Sequence, residues 1–466
     1  MISQVNSNIE LLLENFRTLE ERPIRTLEAR IETFNNRISL FNDLKSKISS
    51  LNSLVSELKQ SGTLSIYGKK AATSSDETVA TVTASSTAVV TSHTLFVSQL
   101  AKADKVVSNQ YTLTGTDISS TLGAGTYTFD VTVNGTTTSV SVDIAAGEDN
   151  ETVLNNIVTA VNNTSNVGIR ASVIQDSDTT GRLVFTSEET GADYEMTLSD
   201  TSGTLLSTLG LNDSVQASGT NGGYIYDSSE LNALVTIDGI SVSSNSNTLD
   251  NAIEGLTITL HKTQATGEQD VTINVSNDVE TIKSKIEEFI NAYNDVLDFI
   301  ITNTAVNTST YERSAFSGDF SITNLRLQMR QAMGSAVTGL AAGDPTLLTD
   351  LGISIGKDGK LSISDSDKLE DMITDNLSQV EQLFNSSDGF APRLESILDE
   401  MSKGDGIIEK RKDVLQNNID RINNRIEQMR KSIDKKMESY RQQFSQLQAA
   451  YVQFQMQSNF ISSLTG

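Results

Sequence analysis

The most restrictive feature of the chain is a long stretch near its C-terminus that contains neither proline nor glycine. It covers residues 407–464, and apolar side chains recur along it at spacings of three and four. This spacing is typical of an α-helix with one apolar stripe, the seam of a coiled coil. At about 1.5 Å per residue, the helix would extend roughly 80 Å. A lone stripe of this length is unstable in water, so we expect partner helices along it.

A second seam with the same spacing lies near the N-terminus, and a shorter stripe precedes it. The shorter stripe consists of Ile9, Leu12, Phe16 and Leu19. Proline lacks a backbone N–H and clashes with the preceding helical turn, so we expect a kink or a short break at Pro23. The seams lie at opposite ends of the chain. They can therefore pair as an antiparallel helix pair within one chain, or each can contact other chains.

We expect the inner portions of the two seams to pair within the chain and the outer ends to contact other subunits. The residues assigned to these contacts in the N-terminal seam are Ile24, Leu27, Ile31, Phe34, Ile38 and Phe41. Those in the C-terminal seam are Ile419, Ile422, Ile426, Met429, Ile433, Met437, Tyr440, Phe444, Leu447, Tyr451 and Phe454. Methionine adapts to irregular partners, so Met429, Met437 and Met456 could ease exchange between partners; ordinary core packing is the competing explanation.

The middle of the chain predicts β-structure. Residues 127–144 alternate apolar and polar side chains on either side of Asn134-Gly135, a dipeptide that favours a two-residue hairpin turn. A second alternation flanks Asp238-Gly239, and residues 148–163 have helical spacing. We expect two β-rich blocks, joined by the Gly-, Ser- and Asn-rich residues 214–223. The fold class is therefore α+β and multidomain, with long coiled-coil helices at both ends.

Charge and composition exclude several functional classes. The net charge is −25, and residues 61–280 carry most of it, with 7 Lys and Arg against 26 Asp and Glu. Nucleic-acid binding requires clustered Lys and Arg, so we expect no nucleic-acid partner. The chain has no cysteine, which excludes disulfides and thiolate sites. It has no apolar run of about 18 residues and no basic-then-apolar leader, so we expect neither a membrane span nor a cleaved signal peptide.

Residue types that commonly carry catalysis are scarce. The chain has two histidines, His93 and His261, and strand alternation places His261 towards solvent. Residues 176–181 imitate the start of a calcium loop, but Ser187 stands where a bidentate glutamate is required. A polar hairpin turn is the alternative that we favour. We therefore expect no catalytic residue, no metal and no cofactor.

Several short segments along the chain together resemble one known family. They are residues 20–24, 96–103, 233–239, 246–249, 253–260, 289–294, 316–319, 351–353 and 359–361. In this order they resemble the flagellar hook-associated protein 2 family, which caps the filaments of bacterial flagella. Residues 167–187 resemble a repeat that this family shares with flagellins.

The resemblance implies a structural protein, not an enzyme, at the distal end of the flagellar filament. It would form a pentamer-like ring of identical subunits that retains exported flagellin and promotes its folding and polymerisation. The implied partners are further copies of the chain, flagellin, the hook–filament junction proteins and a flagellar export chaperone. The implied location is extracellular, at the flagellum tip, after export by the flagellar type III apparatus. A secreted adhesin or fibre-tip protein with coiled-coil ends is the alternative.

The same resemblance suggests four parts in the chain. Residues 1–39 and 440–466 would be terminal helical segments that face the filament, and residues 40–70 and 277–439 a helical leg domain. Two β-rich head domains would be inserted between them. One combines residues 71–108 with 226–276, and the outer one, residues 109–225, contains the flagellin-like repeat.

Overall fold

The computed structural model describes the backbone of residues 2–309 and 311–465, and the side chains of residues 10–62, 64–309 and 311–461. Its α-helices are α1 (Ile2–Lys59), α2 (Asp117–Leu122), α3 (Asn150–Asn163), α4 (Leu205–Leu209), α5 (Val279–Thr304), α6 (Phe320–Gly334), α7 (Ser366–Asp375), α8 (Leu377–Asn385), α9 (Phe390–Ser402) and α10 (Ile407–Thr465).

The β-strands lie mostly in the middle of the chain. They are β1 (Lys70–Ser74), β2 (Ala80–Ala84), β3 (Ser92–Gln99), β4 (Ala103–Val107), β5 (Tyr111–Thr112), β6 (Gly125–Val133), β7 (Thr136–Ile144), β8 (Ile169–Gln175), β9 (Thr180–Thr190), β10 (Thr197–Ser202), β11 (Gly223–Tyr224), β12 (Ala233–Ile237), β13 (Ile240–Ser244), β14 (Thr248–Leu249), β15 (Leu256–Leu260), β16 (Val271–Asn277), β17 (Ile353–Ile355) and β18 (Leu361–Ile363).

The chain divides into two compact units. The first, the helical unit, combines Met1–Tyr67 with Val279–Gly466, and the second, the β-rich unit, is Gly68–Asp278. The α+β class predicted from the sequence is therefore confirmed, with long helices near both ends of the chain and β-structure between them.

The break expected at Pro23 does not occur, because α1 continues through this residue without interruption. Proline at this position removes one backbone hydrogen bond, the one that the carbonyl of Leu19 would accept four residues earlier. Pro23 and Leu19 are both exposed, so water can hydrogen-bond this carbonyl. The next residue, Ile24, is buried against α10 and holds the helix in place beyond the proline.

The helical unit has one large apolar core. Residues 41–58 of α1 contribute a row of buried side chains at helical spacing, and α5 contributes another. The largest fully buried side chains here include Tyr293, Phe316, Phe384 and Phe390. The short hairpin of β17 and β18 packs beside α5, where the side chain of Asn294 bonds both backbone groups of Leu361. Burial of this core is the main force that folds the unit.

The β-rich unit contains two separate apolar cores. One is built on the antiparallel sheet β1-β16-β3-β12-β13 with the small sheet β14-β15-β2. The other lies between the sheet β10-β6-β7 and the strands around β9, and α3 packs into it. Both predicted hairpin turns are confirmed, since Asn134-Gly135 joins β6 to β7 and Asp238-Gly239 joins β12 to β13. All four residues have positive φ, as this turn requires.

The stretch 214–223, expected to be a linker, is partly built into the second core. Gly223 and Tyr224 form β11, which pairs with β4. The φ of Gly223 is +147°, and a Cβ there would lie 2.0 Å from the carbonyl oxygen of Val215. Only glycine fits this close backbone approach, so this end of the stretch is fixed by packing.

Candidate functional site

The two predicted seams meet in an antiparallel helix pair within the helical unit. Lys45 of α1 binds Glu409 of α10 with 2.6 Å between Nζ and Oε1, whereas Arg17 binds Asp434 with 3.2 Å between Nη2 and Oδ1. Residue numbers thus fall along α10 as they rise along α1. The inner portions of the seams therefore pair within one chain, as the sequence predicted.

The middle of the pair is a small apolar core of its own. Its buried side chains are Ile24 of α1 and Ile426, Ile433 and Met437 of α10. Half-buried side chains pack around them, namely Leu27, Ile31, Ile422, Met429 and Tyr440. Two of the three methionines singled out by the sequence thus pack inside the pair, whereas Met456 is 61% exposed. The three do not form one surface.

Closer to the body of the helical unit, the seam merges with the large core. Phe41 is buried, and its ring centroid lies 4.5 Å from that of Phe316. Phe34 and Ile38 are half-buried against the same core, and Ile419 of α10 is buried. These predicted contact residues therefore have ordinary packing roles within the chain.

The outer end of α10 is different, because the residues that continue its seam are mostly exposed. Phe444 is half-buried, but Leu447, Tyr451 and Phe454 are 66%, 55% and 68% exposed. These three continue the spacing of three and four, so they point along one stripe of the helix. Isolated exposed apolar residues are common, but a regular exposed stripe is unusual on a protein surface.

The facing end of α1 is exposed as well. Leu12, Phe16 and Leu19 of the short stripe are 42%, 38% and 49% exposed, and the side chain of Ile9 lies outside the described residues. Phe16 still contacts α10, with 5.6 Å between its ring centroid and that of Tyr440. The exposed apolar side chains of both helix ends, from Leu11 to Leu19 and from Leu447 to Met456, are called the tip surface below.

Sequence reasoning missed part of the tip surface. Leu11 and Val452 are exposed apolar residues that lie off the stripe, together with Met456, which the sequence singles out for exchange between partners. They make the apolar surface wider than a two-helix seam. The sequence does contain a signal for this wider surface, because apolar residues cover more than one stripe of the helix over the last 20 residues. A helix that is apolar over more than one stripe packs against more than one partner.

Charged residues beside the seam fix the pairing of the helices. Arg430 binds Glu28 and Lys436 binds Glu20, at 2.9 and 3.0 Å between nitrogen and oxygen. The hydrogen bond from Lys45, followed by that from Lys412, lowers the pKa of Glu409. Exposed pairs of this kind each contribute less than about 1 kcal/mol, so they set direction and register more than stability.

The residues considered for chemistry have structural roles. His93 Nδ1 lies 2.7 Å from Asp238 Oδ2 and helps to hold the β12–β13 turn, and the exposed His261 contacts Thr81. Asp176 lies in the polar turn between β8 and β9, where Thr180 and Arg182 donate to it, so the turn interpretation is confirmed. The part of the chain that the structure describes contains no cluster of three or more His, Asp or Glu able to hold a metal ion.

One further property concerns membranes. Among the residues that the structure describes, none of the helices combines the length and the apolar character needed to cross a bilayer.

The fold and the tip surface define a class of protein: a structural protein with paired terminal helices and an exposed apolar end. Two family models match the sequence, Flagellar hook-associated protein 2 N-terminus over residues 6–104 and Flagellar hook-associated protein 2 C-terminus over residues 231–456. The A-type flagellar hook-associated protein 2 of Pseudomonas aeruginosa is 30% identical over 78% of this chain and 75% of its own length. The chain belongs to the flagellar hook-associated protein 2 family.

Other comparisons agree. The lateral flagellar hook-associated protein 2 of Vibrio parahaemolyticus is 24% identical over 83% of this chain and 84% of its own length. The solved D1-D2-D3 domains of the flagellar cap protein FliD from Escherichia coli have the same fold, with a TM-score of 0.61, 24% identity, and coverage of 81% of this chain and 99% of that one. The family supports a structural role as a flagellar filament cap, and the adhesin alternative finds no support.

Proposed function

We propose that this protein forms a ring at the distal end of the flagellar filament, where it retains exported flagellin and promotes its folding and polymerisation. The observation that carries the proposal is the tip surface, where Leu447, Tyr451 and Phe454 continue the α10 seam but remain exposed. Apolar surface of this kind is stabilised by burial against another chain. Flagellin and neighbouring copies of the cap are the partners that cover it.

The helix pair divides this task between its two ends. The inner seam, with Ile426 and Ile433 buried, holds α1 and α10 together within one chain. The outer end contacts other chains and must release them when a new flagellin subunit is inserted. Side chains that are buried only on assembly suit such an exchange, because the isolated chain keeps its fold when they are uncovered.

The remaining features of the proposal follow from the family. The protein acts without catalysis, metal or cofactor, as a pentamer-like ring, and the hook–filament junction proteins and a flagellar export chaperone are further partners. Export proceeds through the flagellar type III apparatus, without a cleaved signal peptide, to the extracellular tip. The four-part domain division given above is part of the proposal, and the separate apolar cores of the chain support it.

The proposal is tested by deleting the gene and examining the cells by electron microscopy together with the culture medium. We expect short or absent filaments and flagellin in the medium. Filaments of normal length without leaked flagellin would rule out the cap function.

The role of the tip surface is tested by complementation with the triple variant Leu447→Ser, Tyr451→Ser, Phe454→Ser. We expect this variant to be exported, yet to leave flagellin leaking into the medium. The matched control, Gln446→Ser, Gln453→Ser, Gln457→Ser, changes exposed polar residues of the same helix segment and should restore filaments. Full complementation by the apolar variant would show that the tip surface is not the contact.

A further inference from the structure

Strand β7 forms an edge of the three-stranded sheet β10-β6-β7. It pairs with β6 over nine consecutive residues, from Thr136 opposite Val133 to Ile144 opposite Gly125, without a bulge. Its other side has no strand next to it in the part of the chain that the structure describes. An edge strand of this length is a template on which another strand can form hydrogen bonds.

The hairpin turn determines which backbone groups of β7 face this open side. A two-residue turn makes its flanking residues, Val133 and Thr136, a hydrogen-bonded pair, and bonded and non-bonded pairs then alternate. The residues whose backbone N–H and C=O groups point away from β6 are therefore Thr137, Ser139, Ser141 and Asp143.

Strand β10, on the other side of β6, confirms this alternation. By the same count, the N–H of Leu198 should point away from β6. It does so, because it donates to Asp213 Oδ2 at 2.8 Å.

The other long strand edges around this core are blocked. Asn162 covers the edge of β8 with its side-chain amide, which bonds both the N–H and the C=O of Ala171 at 2.9 Å. Asp213 covers β10 at Leu198, and β10 also contains a bulge between Asp200 and Ser202.

On β7 no comparable device is present among the described residues. Thr137, Ser139, Ser141 and Asp143 are all exposed. The strand contains neither proline nor lysine, which commonly prevent pairing at an edge, and Asp143 near its end is its one charged residue.

We propose that β7 binds β7 of a second copy of this chain, as an antiparallel pair that joins the two sheets. One register uses every outward-facing residue: Ser139 opposite Ser141, and Thr137 opposite Asp143, each pair occurring twice by symmetry. Each of these pairs would exchange two backbone hydrogen bonds.

This register also suits the side chains. It places each Asp143 opposite a threonine and never opposite the other Asp143, so no like charges meet directly. On the face towards the core, Val140 meets Val140, which extends the apolar layer across the junction. The strand is thus complementary to itself, as a two-fold interface requires. The contact is separate from the tip surface and does not depend on the proposed ring.

Engineered cysteines test the register, since the chain has no cysteine of its own. Full-length Ser139→Cys and Ser141→Cys variants are oxidised separately and as an equal mixture, and cross-linked dimers are measured on non-reducing gels. Directly opposite residues lie about 5.5 Å apart between Cα atoms, within disulfide range, whereas same-variant pairs lie on a diagonal of about 7–8 Å. We expect the mixed disulfide to exceed either same-variant disulfide at least fivefold. Equal yields in all three samples, or none in the mixture, would refute the pairing.

A proline variant separates the edge from the fold. For this test the cysteines are placed at Thr137 in one partner and at Asp143 in the other, and Ser139→Pro is added to both. The proline removes an N–H that points to the open side and leaves the β6 ladder intact. We expect it to abolish the mixed Thr137→Cys/Asp143→Cys disulfide, while Ser139→Thr in the same background retains it. An undiminished disulfide in the proline variant would overturn the proposal. The proposal would also be overturned if no mixed disulfide forms while the wild-type chain captures purified flagellin and Ser139→Pro does not.

Discussion

At the scale of single residues, Asp104 stands out because its carboxyl group is buried, and among the described residues no cation pairs with it. Its side chain accepts a hydrogen bond from the backbone N–H of Met196 at 2.9 Å, and its own N–H donates to Ser187 Oγ. Burial raises the pKa of Asp104, and the nearby carboxylates of Glu195 and Asp213 act in the same direction. The folded state therefore favours the protonated form of Asp104 more than the unfolded state does.

The sign of the resulting pH dependence follows directly. Because the folded-state pKa of Asp104 is raised, ionisation at neutral pH opposes folding, and this cost disappears as the pH falls through the folded-state pKa towards the unfolded value near about 3.9. We expect Asp104→Asn to leave the β-rich unit as stable or up to about 1 kcal/mol more stable at pH 7. Lowering the pH should increase the free energy of unfolding of Asp104→Asn less than that of the wild type. Urea titrations followed by circular dichroism measure both values.

Asp149 provides a control of opposite sign. It caps the N-terminus of α3 by accepting the N–H of Thr152, and the hydrogen bonds from Thr152 lower its pKa. Its contribution to stability is therefore present at neutral pH and is lost as the pH falls through the folded-state pKa. We expect the free energy of unfolding of Asp149→Asn to fall less than that of the wild type when the pH is lowered. If Asp104→Asn and Asp149→Asn change the pH dependence in the same direction, the assignment for Asp104 is wrong.

At the scale of elements, the sequence predicted the helices and hairpins better than their partners. Helical spacing indicated α10, and the dipeptides Asn134-Gly135 and Asp238-Gly239 indicated two hairpins, because these signals are local. The order β1-β16-β3-β12-β13 was not predictable, since it pairs strands far apart in the chain. The apolar spacing at Ile433 is the same as at Leu447, so the spacing alone does not distinguish the buried residue from the exposed one; only their positions along the seam do.

Stability measurements should separate the two parts of the α10 seam. Ile433 is 4% exposed and Leu447 is 66% exposed. In the isolated protein, we expect Ile433→Ala to destabilise the helix pair by about 2 kcal/mol and Leu447→Ala to change it by less than about 0.5 kcal/mol. Amide hydrogen exchange in the two helices is the measurement. Equal protection in the two variants would contradict the division into an inner seam and a tip surface.

At the scale of the whole molecule, the β-rich unit begins and ends at one place in its own sheet. Lys70 lies opposite Asn277 where β1 pairs with β16, and the N–H of Asp278 donates to the carbonyl of Lys69 at 3.1 Å. The unit has its own two apolar cores between these ends. A segment with adjacent ends and independent cores has what it needs to fold alone.

We therefore expect the excised fragment 68–278 to fold. Circular dichroism should give a strand-rich spectrum and a cooperative thermal transition. A fragment of residues 76–270, which lacks β1 and β16, is the control and should lose the transition of the first core, because β16 lies between β1 and β3. An unfolded 68–278 fragment would show that the unit depends on the helical unit.

The pairing of β1 with β16 also has a mechanical consequence. Both connections to the helical unit leave from the same end of this antiparallel pair, at Lys70 and Asn277. Tension applied through them would load the interstrand hydrogen bonds one after another, as in a zipper, instead of shearing all of them together. The β-rich unit should therefore yield to a weak pull on its two ends, because only a few hydrogen bonds bear the load at any moment.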